Sequence, residues 1–136
     1  MRKVLFISFL VLLLMTAAFT SAYAAAGNSV SPMAESYNQV VTELSINAGT
    51  ASVSAKIKGK VGITTKATVH LYLQQYRNGS WTDYDDWLET TAGVNCTVHK
   101  TVSVPKGYKY RAKASCYAYA GSKSEHVTKY SAEVEY

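Results

Sequence analysis

The chain has 136 residues, 48 % of them apolar and 17 % charged, with fourteen basic and nine acidic side chains and a formal net charge of +5. Such a length supports one domain with one core and leaves no room for a second. A positive balance this small and this dispersed is not the footprint of a nucleic-acid binder.

The first residues set the expected compartment. Arg2 and Lys3 form a short positive region, Val4 to Leu14 is an apolar run broken by Ser8, and Ala22-Tyr23-Ala24 fits a small-x-small cleavage site. The pattern predicts a secretory signal peptide over residues 1–24, cleaved after Ala24 or, by the same rule, after Ala26. The apolar run is short for a membrane span, which needs ~20 residues. No cysteine follows it to take a lipid and no second apolar tail closes the chain, so the expected product is secreted without a membrane anchor. Cleavage removes two basic residues and leaves twelve basic against nine acidic side chains, a net charge of +3. Lys56, Lys58, Lys60, Lys66 and Lys100 spread that charge, giving a weak pull toward anionic wall polymers or membrane surfaces.

Residues 25–38 mix small and polar side chains around Pro32 and read as a flexible leader. From Gln39 the chain alternates. Val40, Thr42, Leu44 and Ile46 oppose Val41, Glu43 and Ser45 in a first strand that ends at Asn47-Ala48-Gly49. Ala51, Val53, Ala55 and Ile57 alternate with serines and lysines in a second, after which Gly59 and Gly62 bracket a loop. The third strand, Lys66–Arg77, turns Ala67, Val69, Leu71 and Leu73 inward and His70, Tyr72, Gln74 and Tyr76 outward. Asn78-Gly79 is the strongest turn signal, because a two-residue type I′ turn needs positive φ at both positions. It predicts a hairpin that pairs Tyr76 with Trp81, with the fourth strand running through Tyr84 to Trp87 or Leu88.

Residues 94–120 hold both cysteines and read as two long strands, the fifth and sixth, either side of Pro105-Lys106-Gly107. Val94, Cys96, Val98, Val102 and Val104 share an inward face with Lys100, whose charge marks a bulge or the sandwich rim. Tyr108, Tyr110, Ala112, Ala114, Cys116 and Ala118 share the other. Cys96 and Cys116 lie equally far from the turn, which predicts that they approach each other. A disulfide is the leading expectation, closing a loop of about 20 residues for roughly 3 kcal/mol in the chain-entropy model; the alternative is two buried free thiols. A seventh strand is expected from Glu125 to Tyr136. Seven short strands separated by turn signals, with no helical period outside the signal peptide, predict an all-β fold, an antiparallel β-sandwich over residues 39–136.

Val104-Pro105-Lys106-Gly107-Tyr108-Lys109-Tyr110-Arg111 resembles the corner before the sixth strand of immunoglobulin-like and fibronectin type III sandwiches, where a tyrosine hydrogen-bonds back across the corner. The resemblance implies a seven-stranded immunoglobulin-like sandwich with Tyr108 or Tyr110 in that part. The second strand lacks a cysteine, the third lacks a tryptophan, and Cys116 lies six residues past Tyr110, so only the architecture carries over. More broadly, the signal peptide, LYLQQYRNGSWTDYDDW, PKGYKYRAKASCYAY and TKYS resemble small secreted proteins of Gram-positive bacteria grouped as a domain of unknown function. That likeness covers most of the mature chain and implies secretion and a sandwich, with no activity.

No catalytic device or cofactor site stands out. Asp83, Asp85 and Asp86 offer oxygen ligands of the kind calcium takes, but without the glycine and closing glutamate of a loop site they read as a solvated edge that discourages sheet pairing. His70, His99 and His126 fall on three strands without zinc-ligand spacing. Asn78 and Asn95 begin glycosylation sequons that the bacterial-looking signal peptide makes idle. What rises above background is an aromatic face. Tyr72, Tyr76 and Trp81 project outward from strands three and four, and Tyr117 and Tyr119 from strand six, beside Arg77, Lys113 and Gln74. In an immunoglobulin-like sandwich these strands share a sheet, so the five rings predict a flat patch that stacks on a glycan or cell-wall polymer or anchors a surface protein. The plainer reading is cross-strand pairing that stiffens the sheet.

Overall fold

A computed structural model describes residues 35–136. The expected signal peptide and the leader as far as residue 34 lie outside the described residues. In chain order the strands are β1 (Tyr37–Asn47), β2 (Thr50–Gly59), β3 (Lys66–Arg77), β4 (Ser80–Thr91), β5 (Asn95–Ser103), β6 (Lys109–Ala120), β7 (Lys123–Tyr130) and the two-residue β8 (Val134–Glu135). They form a β-sandwich of two antiparallel sheets. One has the order β1-β2-β5 and the other β4-β3-β6-β7, with β8 beside the start of β6.

Alternation decides what lies between the sheets. Ala51, Val53, Ala55 and Ile57 from β2, Ala67, Val69, Leu71 and Leu73 from β3, and Ala112, Ala114, Cys116 and Ala118 from β6 are all buried. Half of these are alanines, and the small side chains let Cα atoms of β2 and β6 approach within 8 Å, inside the spacing of about 10 Å usual for stacked sheets. The Asn78-Gly79 turn adopts the expected geometry, and the Ala48-Gly49 turn, read from the sequence only as a strand end, has the same one. Asn78 and Gly79 have φ of 49° and 80°, and Ala48 and Gly49 have 47° and 80°, positive at both central positions as a type I′ hairpin requires.

The sixth-strand corner forms around Tyr110. Its hydroxyl donates to Pro105 O at 2.7 Å and accepts from Gln75 Nε2 at 2.8 Å, so Tyr110 rather than Tyr108 makes the bond. Pro105 to Gly107 therefore cross from one sheet to the other. This overturns the expected disulfide. No residue of β5 has its Cα within 8 Å of one in β6, whereas a disulfide needs about 4.4–6.8 Å. Cys96 sits on an edge strand with its thiol donating to Glu89 O at 3.5 Å, and Cys116 lies in register between Val69 and Val127. Both are buried and unbonded. Equal spacing from a turn makes residues opposite only when the turn is a hairpin.

Three other details differ from expectation. β4 continues to Thr91 and carries a bulge, because Gln74 pairs with Asp83 and Leu73 with Asp85, leaving Tyr84 over. The freed Tyr84 turns its ring edge toward Tyr110, 6.2 Å away, and donates its hydroxyl to Ser103 O in the opposite sheet. The final strand is interrupted, since Ser131 Oγ takes the Ala112 N–H at 2.8 Å that a further strand residue would have used. The chain then rejoins the sheet, with Tyr136 N donating to Tyr108 O at 3.0 Å and Tyr136 O accepting from Gly107 N and Tyr108 N. Finally, β1 begins at Tyr37, inside the expected leader. Lys100 is exposed on the edge strand β5, where an inward-directed charge deters a further strand from pairing.

At the opposite end of the sandwich, Gly59 joins two loops. Its N–H donates to Val94 O at 2.8 Å, and a Cβ there would lie 2.4 Å from both Val94 O and Thr64 Oγ1. Thr64 Oγ1 also accepts from Lys60 N and donates to Ser36 O, while Glu125 on β7 accepts from the backbone N–H groups of Glu35 and Ser36.

Candidate binding face

The outer face of the larger sheet is built by register. Across β4, β3 and β6, Trp81 pairs with Tyr76, Asp83 with Gln74 and Gln74 with Arg111; next comes Asp86 with Tyr72 and Tyr72 with Lys113. Further along, His70 pairs with Ser115, Thr68 with Tyr117 and Lys66 with Tyr119, and β7 adds Tyr130 opposite Lys113 and His126 opposite Tyr117. All five expected residues, Tyr72, Tyr76, Trp81, Tyr117 and Tyr119, thus lie on one face. They do not make one compact patch. From Tyr76 to Lys66 is ten residues of β3, about 33 Å of strand, with Tyr72 between a Tyr76–Trp81 pair at one end and a Tyr117–Tyr119 pair at the other.

The rings also have occupied faces. Tyr76 and Trp81 meet at 5.2 Å and 58°. Tyr117 stacks on Tyr119 at 6.3 Å and on His126 at 4.5 Å. Tyr72 has the His70 ring at 4.1 Å and Lys113 Nζ 4.8 Å from its centroid, and Lys66 Nζ sits 3.9 Å over Tyr119. The arrangement is a ladder of rings packed side by side with cations between them.

Polar contacts fix the middle of the ladder. The His70 ring bridges two neighbours, with Nε2 2.6 Å from Asp86 Oδ2 and Nδ1 2.7 Å from the Tyr72 hydroxyl. Burial, with the Asp83 and Asp86 carboxylates behind it, holds the Tyr72 pKa above the usual tyrosine value, so the phenol stays a donor. Gln74 is buried although it points outward. It donates to Asp83 Oδ1 at 2.7 Å and accepts from Arg111 Nε at 2.9 Å. This leaves the Arg111 guanidinium between two rings, 4.3 Å from Trp81 and 4.4 Å from Tyr130. Alternation puts Arg111 on this face, but its clamp was not legible, because Tyr130 reaches it only through the β6–β7 register.

No family model and no curated protein matches the chain. Among solved structures it is similar to the solution structure of R. palustris CsgH, at 14 % identity and a TM-score of 0.40, over 71 % of this chain and 90 % of that one.

Other candidate groups fall elsewhere or apart. Asp85 caps the Asp86 N–H at 2.9 Å, so the three aspartates of β4 have three different partners. His126 Nε2 lies 2.7 Å from Ser115 Oγ, and His99 Nε2 3.0 Å from Ser52 Oγ on the smaller sheet. Among the described residues no three His, Cys, Asp or Glu side chains gather as a metal site. An open cleft of about 580 Å³ runs along the smaller sheet, lined chiefly by Thr42, Ser45, Ser52, Ser54, His99 and Ser131. Small hydroxyls dominate it, with Glu43 as its one charged side chain and His99 as its one ring, so the larger sheet, with its run of rings and cations, holds the stronger candidate.

Proposed function

We propose that this protein is a secreted, non-catalytic binding module with an immunoglobulin-like sandwich, whose outer β4-β3-β6-β7 face engages an extended glycan or cell-wall polymer. The strand order supports the immunoglobulin-like assignment, with the fourth strand placed beside the third. The carrying observation is the length and order of the ladder: about 30 Å of rings, interleaved with side chains already oriented by one another. A ligand meeting pre-oriented groups loses less conformational entropy on binding. Because the ring faces are shared with neighbours, contact falls to ring edges, hydroxyls and cations rather than to flat stacking. The test is titration with soluble wall polysaccharides and peptidoglycan fragments, following tryptophan emission. Saturable binding with a spectral change abolished in Trp81→Phe supports the reading, and unchanged binding by a Trp81→Ala, Tyr119→Ala double variant removes it.

A protein partner is the second reading, favoured by the β1 edge. β1 is eleven residues long, carries Glu43 as its one charged side chain and, among the described residues, pairs with β2 alone. Thr42 Oγ1 on that strand is buried without a hydrogen-bond partner among the described residues. Such an edge suits strand addition by another chain. A proline at Thr42, whose N–H by the hairpin register faces away from β2, would block that pairing and leave polymer binding intact.

A further inference from the structure

We propose that the polymer bound by the larger sheet is an acidic polysaccharide whose carboxylates are held in a row along β6 by Lys109, Arg111 and Lys113; this rests on the glycan-binding reading above. The three residues alternate on one strand and so share its outer face, spaced about 7 Å apart. None has a carboxylate oxygen within 4.0 Å among the described residues. Of the acids beside the row, Asp83 accepts from Gln74 and Asp86 from His70, while Glu135 stands opposite Lys109 in the β6–β8 register and Glu133 lines a hollow beside it. Arg111 and Lys113 are thus the members of the row farthest from competing carboxylates. These cations are positioned rather than idle. Arg111 is fixed by two rings and by Nε on Gln74, which leaves both terminal nitrogens of the guanidinium without a hydrogen-bond partner among the described residues. Lys113 rests against Tyr72, and Lys109 lines an open hollow of about 300 Å³ with Tyr76, Trp81 and Glu133.

That geometry selects a ligand class. A guanidinium with its outer edge free matches the two oxygens of a carboxylate in a bidentate fork. The ring ladder on either side of β6 supplies apolar walls for the sugar rings between charges. A row with one positive charge every ~7 Å is far sparser than the one negative charge per ~1.7 Å of a nucleic-acid duplex. It suits a chain with one acidic group on each sugar or on every second sugar. A guanidinium stacked between two rings has already lost its side-chain freedom, so the ordering cost of the salt bridge is reduced before the ligand arrives.

The experiment measures binding of the full chain to polygalacturonate, to the same polymer fully methyl-esterified, and to inorganic polyphosphate. The expected result is saturable binding to the free acid alone, weakened at least tenfold when salt rises from about 50 to 500 mM. Arg111→Gln should weaken it about tenfold and Arg111→Lys less, since lysine keeps the charge and loses the fork. Lys113→Gln, which leaves the Gln74–Arg111 network untouched, should weaken it severalfold and guards against a folding defect in the Arg111 variants. Equal binding to acid and ester would overturn the inference while leaving the glycan-binding function standing. Polyphosphate bound as tightly as polygalacturonate would overturn the choice of carboxylate. Binding to none of the three removes both this inference and the reading beneath it.

Discussion

Tyr110 carries two buried hydrogen bonds on one oxygen. Burial holds its pKa above the usual tyrosine value, against the opposing pull of the Gln75 amide, so the phenol is a donor throughout the physiological range and Pro105 O is its fixed acceptor. Tyr110→Phe would leave the buried Gln75 amide and the Pro105 carbonyl unpaired, at a cost of about 1–3 kcal/mol. For a domain near 100 residues that lowers Tm by roughly 4–8 °C per kcal/mol, and thermal denaturation of the variant reads it directly. Polymer binding should persist, because the ring points away from the outer face. That a tyrosine makes this corner could be anticipated from Pro105 and Gly107 with two tyrosines just beyond. Which tyrosine does so depends on Gln75, which supplies the second bond only through the β3–β6 register.

Among the elements, the β2–β3 connection is held at Gly59 and the start of β1 at Glu125. Gly59→Ala would drive a methyl group into the Val94 carbonyl, and backbone cannot swing aside as a side chain can. An overpacked site of this kind costs about 1–3 kcal/mol or more; a lowered urea midpoint with an unchanged m-value is the expected outcome. The Glu125 tether gives a pH dependence of definite sign. The Glu35 N–H, with the Ser36 contacts, holds the Glu125 carboxyl below the usual glutamate range despite partial burial. A lowered folded pKa contributes stability at pH values above the unfolded pKa, and that contribution is lost as pH falls from there through the folded pKa. The protection factors of the Glu35 and Ser36 amides, taken relative to the intrinsic exchange rate at each pH, should therefore fall on acidification below the glutamate range, and Glu125→Gln should flatten that dependence. The β3–β4 hairpin was legible because Asn78-Gly79 sits between alternating runs, and Ala48-Gly49 marked the end of the first strand without revealing its turn type. The bulge at Tyr84 and the break at Ser131 were not. Alternation continues through both, and only the partner strand reveals the extra or missing residue.

For the molecule as a whole, the cysteines separate what alternation can tell from what topology decides. Both thiols point inward, as the pattern of β5 and β6 requires, but the two strands belong to opposite sheets and the crossover keeps their backbones apart. The candidate face divides in the same way. The side on which Tyr72, Tyr76, Trp81, Tyr117 and Tyr119 project follows from periodicity, whereas their spread along 30 Å and the Arg111 clamp depend on long-range register. Burial, with Cys96 nearby, pushes the Cys116 thiol pKa up to about 12, so neither attack on a thiol reagent nor exchange with a disulfide is favoured in the folded state. The native protein should resist alkylation until denatured, keep the mass of the dithiol form under non-reducing conditions, and show the same Tm with and without reductant.

The backbone of Tyr136 meets Gly107 and Tyr108, and its ring packs onto the core beside the first hairpin at Gly49. The segment that closes the ladder is thus the last described part of the chain to be synthesised, and it touches a turn made nearly ninety residues earlier. The sandwich cannot be completed on the ribosome while residues 134–136 are still inside the exit tunnel. Until those residues emerge, the sixth-strand corner and the first hairpin lack the partner they share.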